Sequence, residues 1–214
     1  MTSCFEFLKK QAPQGGGGFG RRKLRVKKVG SSSHKNDPVN FVDLWGLSAE
    51  DVKAKLSKNN QIHIDKLHPA IRDKTIEMLS NLNENGINVE IVSSMRTIEE
   101  QNALYAIGRD KDGKKIEGEK IVTNAKGGTS NHNFGLAFDV EVYDDKGKKD
   151  WNDKGESWQA VIKEGEKQGF TSGSTFVNPK NDFPHFENMF GYSTSELKKL
   201  YDEGKTTGGF VNVN

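Results

Sequence analysis

The run Leu136–Tyr143, LAFDVEVY, constrains the fold more than any other stretch of the chain. Leu136, Phe138, Val140 and Val142 fall on alternate positions, the period at which a strand sends its side chains to one face. The other register holds Ala137, Asp139, Glu141 and Tyr143. The pattern is that of a half-buried strand with an apolar face toward a core and a second face that presents carboxylates.

The elements around it follow from caps and periodicity. Ser48, with Asp51 three residues on, predicts a short helix within LSAEDVKAKLSKNN. In HPAIRDKTIEMLSNLNENG, Pro69 sits in the first turn, Ile71, Thr75, Met78, Leu79 and Leu82 share a face, and Gly86 marks the stop. INVEIVSS alternates and is rich in β-branched residues, so it reads as a strand that delivers Arg96 to a sheet end. Thr97 and Glu100 form a capping box for a helix ending near Gly108. ESWQAVIKEGEKQG, stopped by Gly169, and STSELKKLYDEG, opened by Ser193 and Glu196, predict two further helices. The expected class is α+β, a small and mostly antiparallel sheet with flanking helices.

Charge separates a further region. Residues 1–40 hold nine Lys/Arg against two Asp/Glu in a chain whose net formal charge is +2, so a +7 arm precedes an acidic body. The arm contains GGGGFG, the basic run Arg21–Lys28 and SSSHKND, which read as linker, basic run and linker. By charge alone Arg21–Lys28 suits nucleic acid or an anionic wall polymer, and a solvated tail equally well; of these no nucleic-acid partner is expected. The glycines lack the Gly-Lys-Ser/Thr sequel of a phosphate loop. The reading is therefore an arm at 1–40, a folded domain at 41–204 and a tail at 205–214. With a mean hydropathy of -0.76 and no long apolar run, no membrane partner is expected. The start, MTSCFEFLKKQ, lacks the apolar core and cleavage site of a secretory signal, so synthesis in the cytoplasm is expected. The single cysteine, Cys4, excludes an internal disulfide and a cysteine-based zinc finger.

Chemistry concentrates in SNHNFGLAFDV, Ser130–Val140, and NDFPHFE, Asn181–Glu187. His132 and Asp139 lie seven residues apart and His185 follows a proline that stiffens its loop. Two imidazoles and a carboxylate suit a catalytic zinc with an open fourth position. They are equally compatible with polar residues satisfied at the edge of a core, and spacing leaves both readings open. A Ser130–His132–Asp139 triad is disfavoured, because a serine two residues from its histidine reaches the ring poorly. His34, His63 and His68 read as surface residues, and Trp45, Trp151 and Trp158 as packing.

SSMRTIEEQNALYAIGRD, IVTNAKGGTSNHNFGLAFDV and NDFPHFE, in this order, resemble the VanY-type D-alanyl-D-alanine carboxypeptidase family, in particular its L-alanyl-D-glutamate endopeptidases from phage endolysins and sporulating bacilli. The motif SxHxxGxAxD is met by Ser130, His132, Gly135, Ala137 and Asp139. The resemblance implies a fold like that of the hedgehog and D-Ala-D-Ala peptidases, with His132, Asp139 and His185 as zinc ligands, Asp182 as general base and Arg96 as the cation that orients substrate. Ser130 then either hydrogen-bonds substrate or fixes the turn. Glu187, and Glu141 likewise, either orient a ligand from behind or close a structural ion pair. GFTSGSTF departs from the tryptophan and paired glycines of many relatives. The activity implied is hydrolysis of an amide in the peptidoglycan stem peptide, with the L-Ala-D-Glu bond favoured. The alternatives are a D-Ala-D-Ala carboxypeptidase and a catalytically silent, zinc-stabilised binding module. An enzyme of this kind acts on the wall after release or delivery, with a phage or secretion-apparatus component as a partner for the arm.

Overall fold

In the computed structural model, which describes residues 48–177 and 181–213, four of the six described α-helices begin where a short hydroxyl side chain meets free backbone donors. The chain divides into two units, Met1–Asn40 and Phe41–Asn214, and every described residue lies in the second. The expectations for Cys4, the glycine run, Arg21–Lys28, His34 and Trp45 fall outside the described residues. Ser48, Thr97 and Ser193 each form the expected capping box, opening α1 (Ala49–Lys53), α4 (Ile98–Ala106) and α6 (Thr194–Asp202). Ser57 opens α2 (Lys58–Lys66), His68 opens α3 (Pro69–Glu84), and α5 spans Glu156–Lys167. None of the described helices is long and apolar enough to cross a membrane.

Five strands, β1 (Asn88–Ser93), β2 (Ala137–Tyr143), β3 (Lys149–Asp150), β4 (Thr171–Ser172) and β5 (His185–Glu187), build an antiparallel sheet in the order β1-β2-β5-β4, with β3 also against β2. This is the expected class. Helices α2 and α3 pack on β1, and α3 also packs on α5. Phe138 stacks on Phe186 and meets Phe170 edge-on, at the centre of a core that also takes in Ile71, Met78, Leu79, Leu82, Ile91, Val140 and Trp158. The register sets the site: Asp139 stands opposite Ser93 on one side and His185 on the other.

Three expectations change. The short helix expected around Ser48 ends at Lys53, and a second, α2, follows in SKNNQIHIDK. That helix spends its asparagines on the free edge of β1: Asn60 Nδ2 donates to Val89 O at 3.0 Å, Asn60 Oδ1 accepts from Ile91 N at 2.7 Å, and Asn59 Nδ2 donates to Ile91 O at 2.7 Å. An edge strand so covered offers no row of open groups to another chain. Second, β2 is covered on both faces, because Glu141 is only 1% exposed and pairs with Lys149 and, at 2.5 Å, the Tyr143 hydroxyl. Glu141 thus closes a structural ion pair.

Third, residues beyond 204 are not a separate tail. They form a hairpin of β6 (Thr206–Thr207) and β7 (Phe210–Val211), and Val211 joins the core. His68, expected at the surface, is buried beneath this hairpin. Its Nδ1 accepts from Ala70 N at 3.1 Å as the cap of α3, and its Nε2 donates to Val211 O at 2.7 Å. His63 is half-buried, with Nδ1 at 2.9 Å from Ser94 Oγ. Of the tryptophans, Trp158 is wholly buried and donates to Asp150 O, while Trp151 stays 42% exposed with its ring edge-on to Phe183.

Candidate metal centre

A polar turn, a strand and a second strand meet at one end of the sheet. Asn131–Phe134 form a single 3₁₀ turn between Ser130 and Gly135. Gly135 closes it at φ +69°, and a Cβ there would come within 2.9 Å of His68 N, so the glycine of the motif answers both a backbone and a packing demand. Asn133 locks the turn from inside: its Oδ1 accepts from Gly128 N at 2.9 Å, and its Nδ2 donates to Arg96 O at 3.0 Å and Thr97 O at 3.2 Å. Arg96 N donates to His132 O at 3.0 Å, tying the end of β1 to the same turn.

His132, Asp139 and His185 are brought together, each offering a ligand atom within 4.8 Å of the others. His132 Nδ1 donates to Ser94 O at 2.8 Å, which fixes the tautomer and leaves the Nε2 lone pair facing Asp139 Oδ2 at 3.4 Å. His185 lies between two carboxylates, with Nδ1 3.0 Å from Asp139 Oδ1 and Nε2 2.9 Å from Glu187 Oε2. With Nε2–H given to Glu187, Nδ1 turns to the centre. Two imidazole nitrogens and a carboxylate oxygen then converge with their other atoms already engaged. This is the donor set of a divalent cation held by nitrogen and oxygen.

The electrostatics agree with a centre built for positive charge. Burial disfavours charge on His185, yet hydrogen bonds to Asp139 and Glu187 outweigh it and push its pKa up to about 10. Burial would raise Asp139 as well, but His132 and His185 hold its carboxyl well below the ordinary range. In His132 burial dominates and pushes the imidazole down, against the pull of Asp139. A proton on His185 and a bound cation are alternative answers to one concentration of negative charge.

The other expected residues take up positions around this cluster. Arg96 Nη2 is 3.8 Å from Asp139 Oδ2 and Nη1 donates to Gln101 Oε1 at 2.8 Å, while its buried Nε has no hydrogen-bond acceptor among the described residues. Asp182 is half-buried one turn before His185, whose N–H donates to Asp182 O at 3.0 Å. Burial pushes the Asp182 carboxyl up and the Asp139 charge adds to it, with His185 and Arg96 pulling back. Glu187 pairs with His185 from the far side, as a carboxylate behind a ligand does. Ser130 opens the turn through its backbone, with its carbonyl accepting from Asn133 N, and both nitrogens of His132 are engaged elsewhere. No Ser-His-Asp relay is present among these three.

Four contributors were not anticipated. Ser94 supplies the carbonyl for His132, Gln101 holds Arg96 and passes its own Nε2 to Ala125 O, Asn133 locks the turn, and Asn131 Nδ2 donates to Glu187 Oε2 at 2.6 Å. The signal for the asparagines was the density of amides around His132 directly before an apolar strand, where each buried amide needs partners.

A histidine-aspartate-histidine centre at the end of a small antiparallel sheet defines a metallopeptidase-like arrangement. Residues 64–182 match the family described as VanY, D-alanyl-D-alanine carboxypeptidase, more than half of the chain, and the chain belongs to that family. It is 34% identical over 128 residues to the peptidoglycan L-alanyl-D-glutamate endopeptidase CwlK of Bacillus subtilis, covering 56% of this chain and 72% of that protein. Among solved structures, the Serratia marcescens L-Ala D-Glu endopeptidase ChiX aligns with a TM-score of 0.43 and 15% identity, over 63% of this chain and 90% of that one.

Proposed function

We propose that the protein is a zinc peptidase that hydrolyses an amide bond in the peptidoglycan stem peptide, with the L-alanyl-D-glutamate bond as its target. The observation that carries this reading is the convergence of His132, Asp139 and His185 within 4.8 Å in a chain of this family. The likeness to CwlK favours the endopeptidase bond over a terminal D-Ala-D-Ala bond.

His132 Nε2, an Asp139 oxygen and His185 Nδ1 would hold the zinc. When bound, zinc supplies a water acidified to a pKa of about 7 and a Lewis acid beside the scissile carbonyl. Asp182 takes the proton of the attacking water and returns it to the leaving amine, a task suited to a carboxyl whose hold on a proton burial has strengthened. Arg96 presents its fork to a substrate carboxylate or to the developing oxyanion, and an oxygen there would also satisfy its orphaned Nε. Ser130, at the start of the ligand turn, offers a hydroxyl to the substrate backbone. Glu187 keeps the proton of His185 on Nε2.

Incubation of the zinc-loaded protein with purified sacculi, followed by mass spectrometry of the fragments, tests the reading. The expected products carry a new amino-terminal D-Glu, with L-Ala left on the muramyl group. Release of D-Ala alone would make the protein a carboxypeptidase, and intact sacculi would make it a binding module.

A further inference from the structure

Asn131 stands between the proposed metal centre and the last helix of the domain. Its Nδ2 donates to Glu187 Oε2 at 2.6 Å, and its Oδ1 accepts from Thr194 Oγ1 at 2.7 Å. The same Glu187 oxygen receives His185 Nε2 at 2.9 Å, so a single carboxylate oxygen carries both contacts. Thr194 is the first residue of α6, and Leu197 in that helix is fully buried, so the helix start is anchored to the core. A primary amide can flip end for end. With Thr194 donating to one end and Glu187 accepting from the other, only one orientation satisfies both partners.

We infer that Asn131 is a positioning residue that sets the occupancy of the metal centre, acting through Glu187 and held in register by Thr194. This inference rests on the zinc reading proposed above. The amide fixes the Glu187 carboxylate against His185 Nε2, the carboxylate keeps the imidazole proton there, and Nδ1 is thereby left as a lone pair directed at Asp139 and the centre. Without the Asn131 donor, Glu187 is free to swing, and His185 loses both its tautomer and its ring orientation. Such partners behind a ligand typically govern about 10-fold to 100-fold in metal affinity. The backbone of Asn131 is used separately, its carbonyl accepting from Leu136 N at 3.3 Å, so a side-chain substitution leaves that turn contact in place.

The test is a double-mutant cycle read in zinc affinity by chelator competition on the full chain, with the melting point of the metal-free protein as a check on folding. Asn131→Ala should weaken zinc binding about 10-fold, and Thr194→Val should weaken it by a smaller factor in the same direction. In a Glu187→Gln background, Asn131→Ala should change the affinity by less than about 2-fold, because its only route to the metal is already cut. A parent that binds zinc as tightly as Asn131→Ala overturns this inference and leaves the zinc reading standing. An equal loss in both backgrounds also overturns it, since Asn131 would then act through the turn. A parent that takes up no zinc overturns both.

Discussion

Two carboxylates flank His185, and their surroundings assign them different work. Asp182 touches His185 through its backbone alone and has its carboxyl raised by burial, whereas Glu187 is held low, against its own burial, by hydrogen bonds from His185 and Asn131. Asp182→Asn should therefore retain zinc and melting point yet lose about 100-fold to 10,000-fold in cleavage rate. Glu187→Gln should keep measurable turnover and bind zinc about 10-fold to 100-fold more weakly. Zinc content and stem-peptide turnover measured on the same preparations separate the two, and a fully active Asp182→Asn would transfer the base role elsewhere. His63 supports a second prediction at this scale. Burial lowers its pKa from 6.5 to about 4, with Lys66 adding to the effect. The unfolded chain therefore binds a proton that the folded one refuses, and stability present above pH 6.5 is lost as pH falls toward 4. After discounting for partial exposure the loss is about 1–2 kcal/mol. Denaturant midpoints across pH 7 to 4 should show a flatter acid limb in His63→Gln, and unchanged slopes would contradict this.

At the scale of elements, Gly165 shows two magnitudes in opposition. It lies inside α5, where replacement by alanine ordinarily gains about 1 kcal/mol of helix propensity. A Cβ there would come within 2.7 Å of Phe186 Cδ1, in the ring stacked on Phe138, and overpacking of that kind costs about 1–3 kcal/mol. Gly165→Ala should be net destabilising in urea denaturation; a gain in stability would mean that the ring has room to move. The helix pattern of the sequence shows only an expensive glycine here, because its reason is a strand residue far along the chain. The same division runs through the whole reading. The helix Pro69–Glu84, three capping boxes and the alternation of β2 were legible because their causes lie within a few residues. Helix α2 was not, since Asn59 and Asn60 read locally as turn formers and become helical while binding β1, up to 32 residues away. His68 appeared exposed because its acceptor, Val211 O, lies 143 residues on. His132 and Asp139 share one local motif, but only cross-strand pairing sets His185 opposite Asp139, and the family resemblance supplied what local pattern did not.

Across the whole molecule, the terminal hairpin closes the body. Deleting residues 206–214 removes the acceptor of a buried imidazole, at about 1–3 kcal/mol, and the burial of Val211, at about 1.5–3 kcal/mol. The melting point should fall by roughly 10 °C, and an unchanged one would show that the hairpin contributes no stability. The pairing of β2 with β5 has a further consequence, which concerns the order of assembly. His185 is separated from Asp139 by 46 positions, and the two meet only where these strands pair. Until that long-range contact forms, the proposed zinc site has two of its three ligands in place, His132 and Asp139, too few to hold the metal. Metal capture is thus expected after the rate-limiting step, as a late event that secures a body already formed. Stopped-flow measurements should show zinc slowing unfolding and leaving the refolding rate near that of the metal-free chain, whereas refolding accelerated by zinc would mean that the metal gathers its ligands before the strands meet.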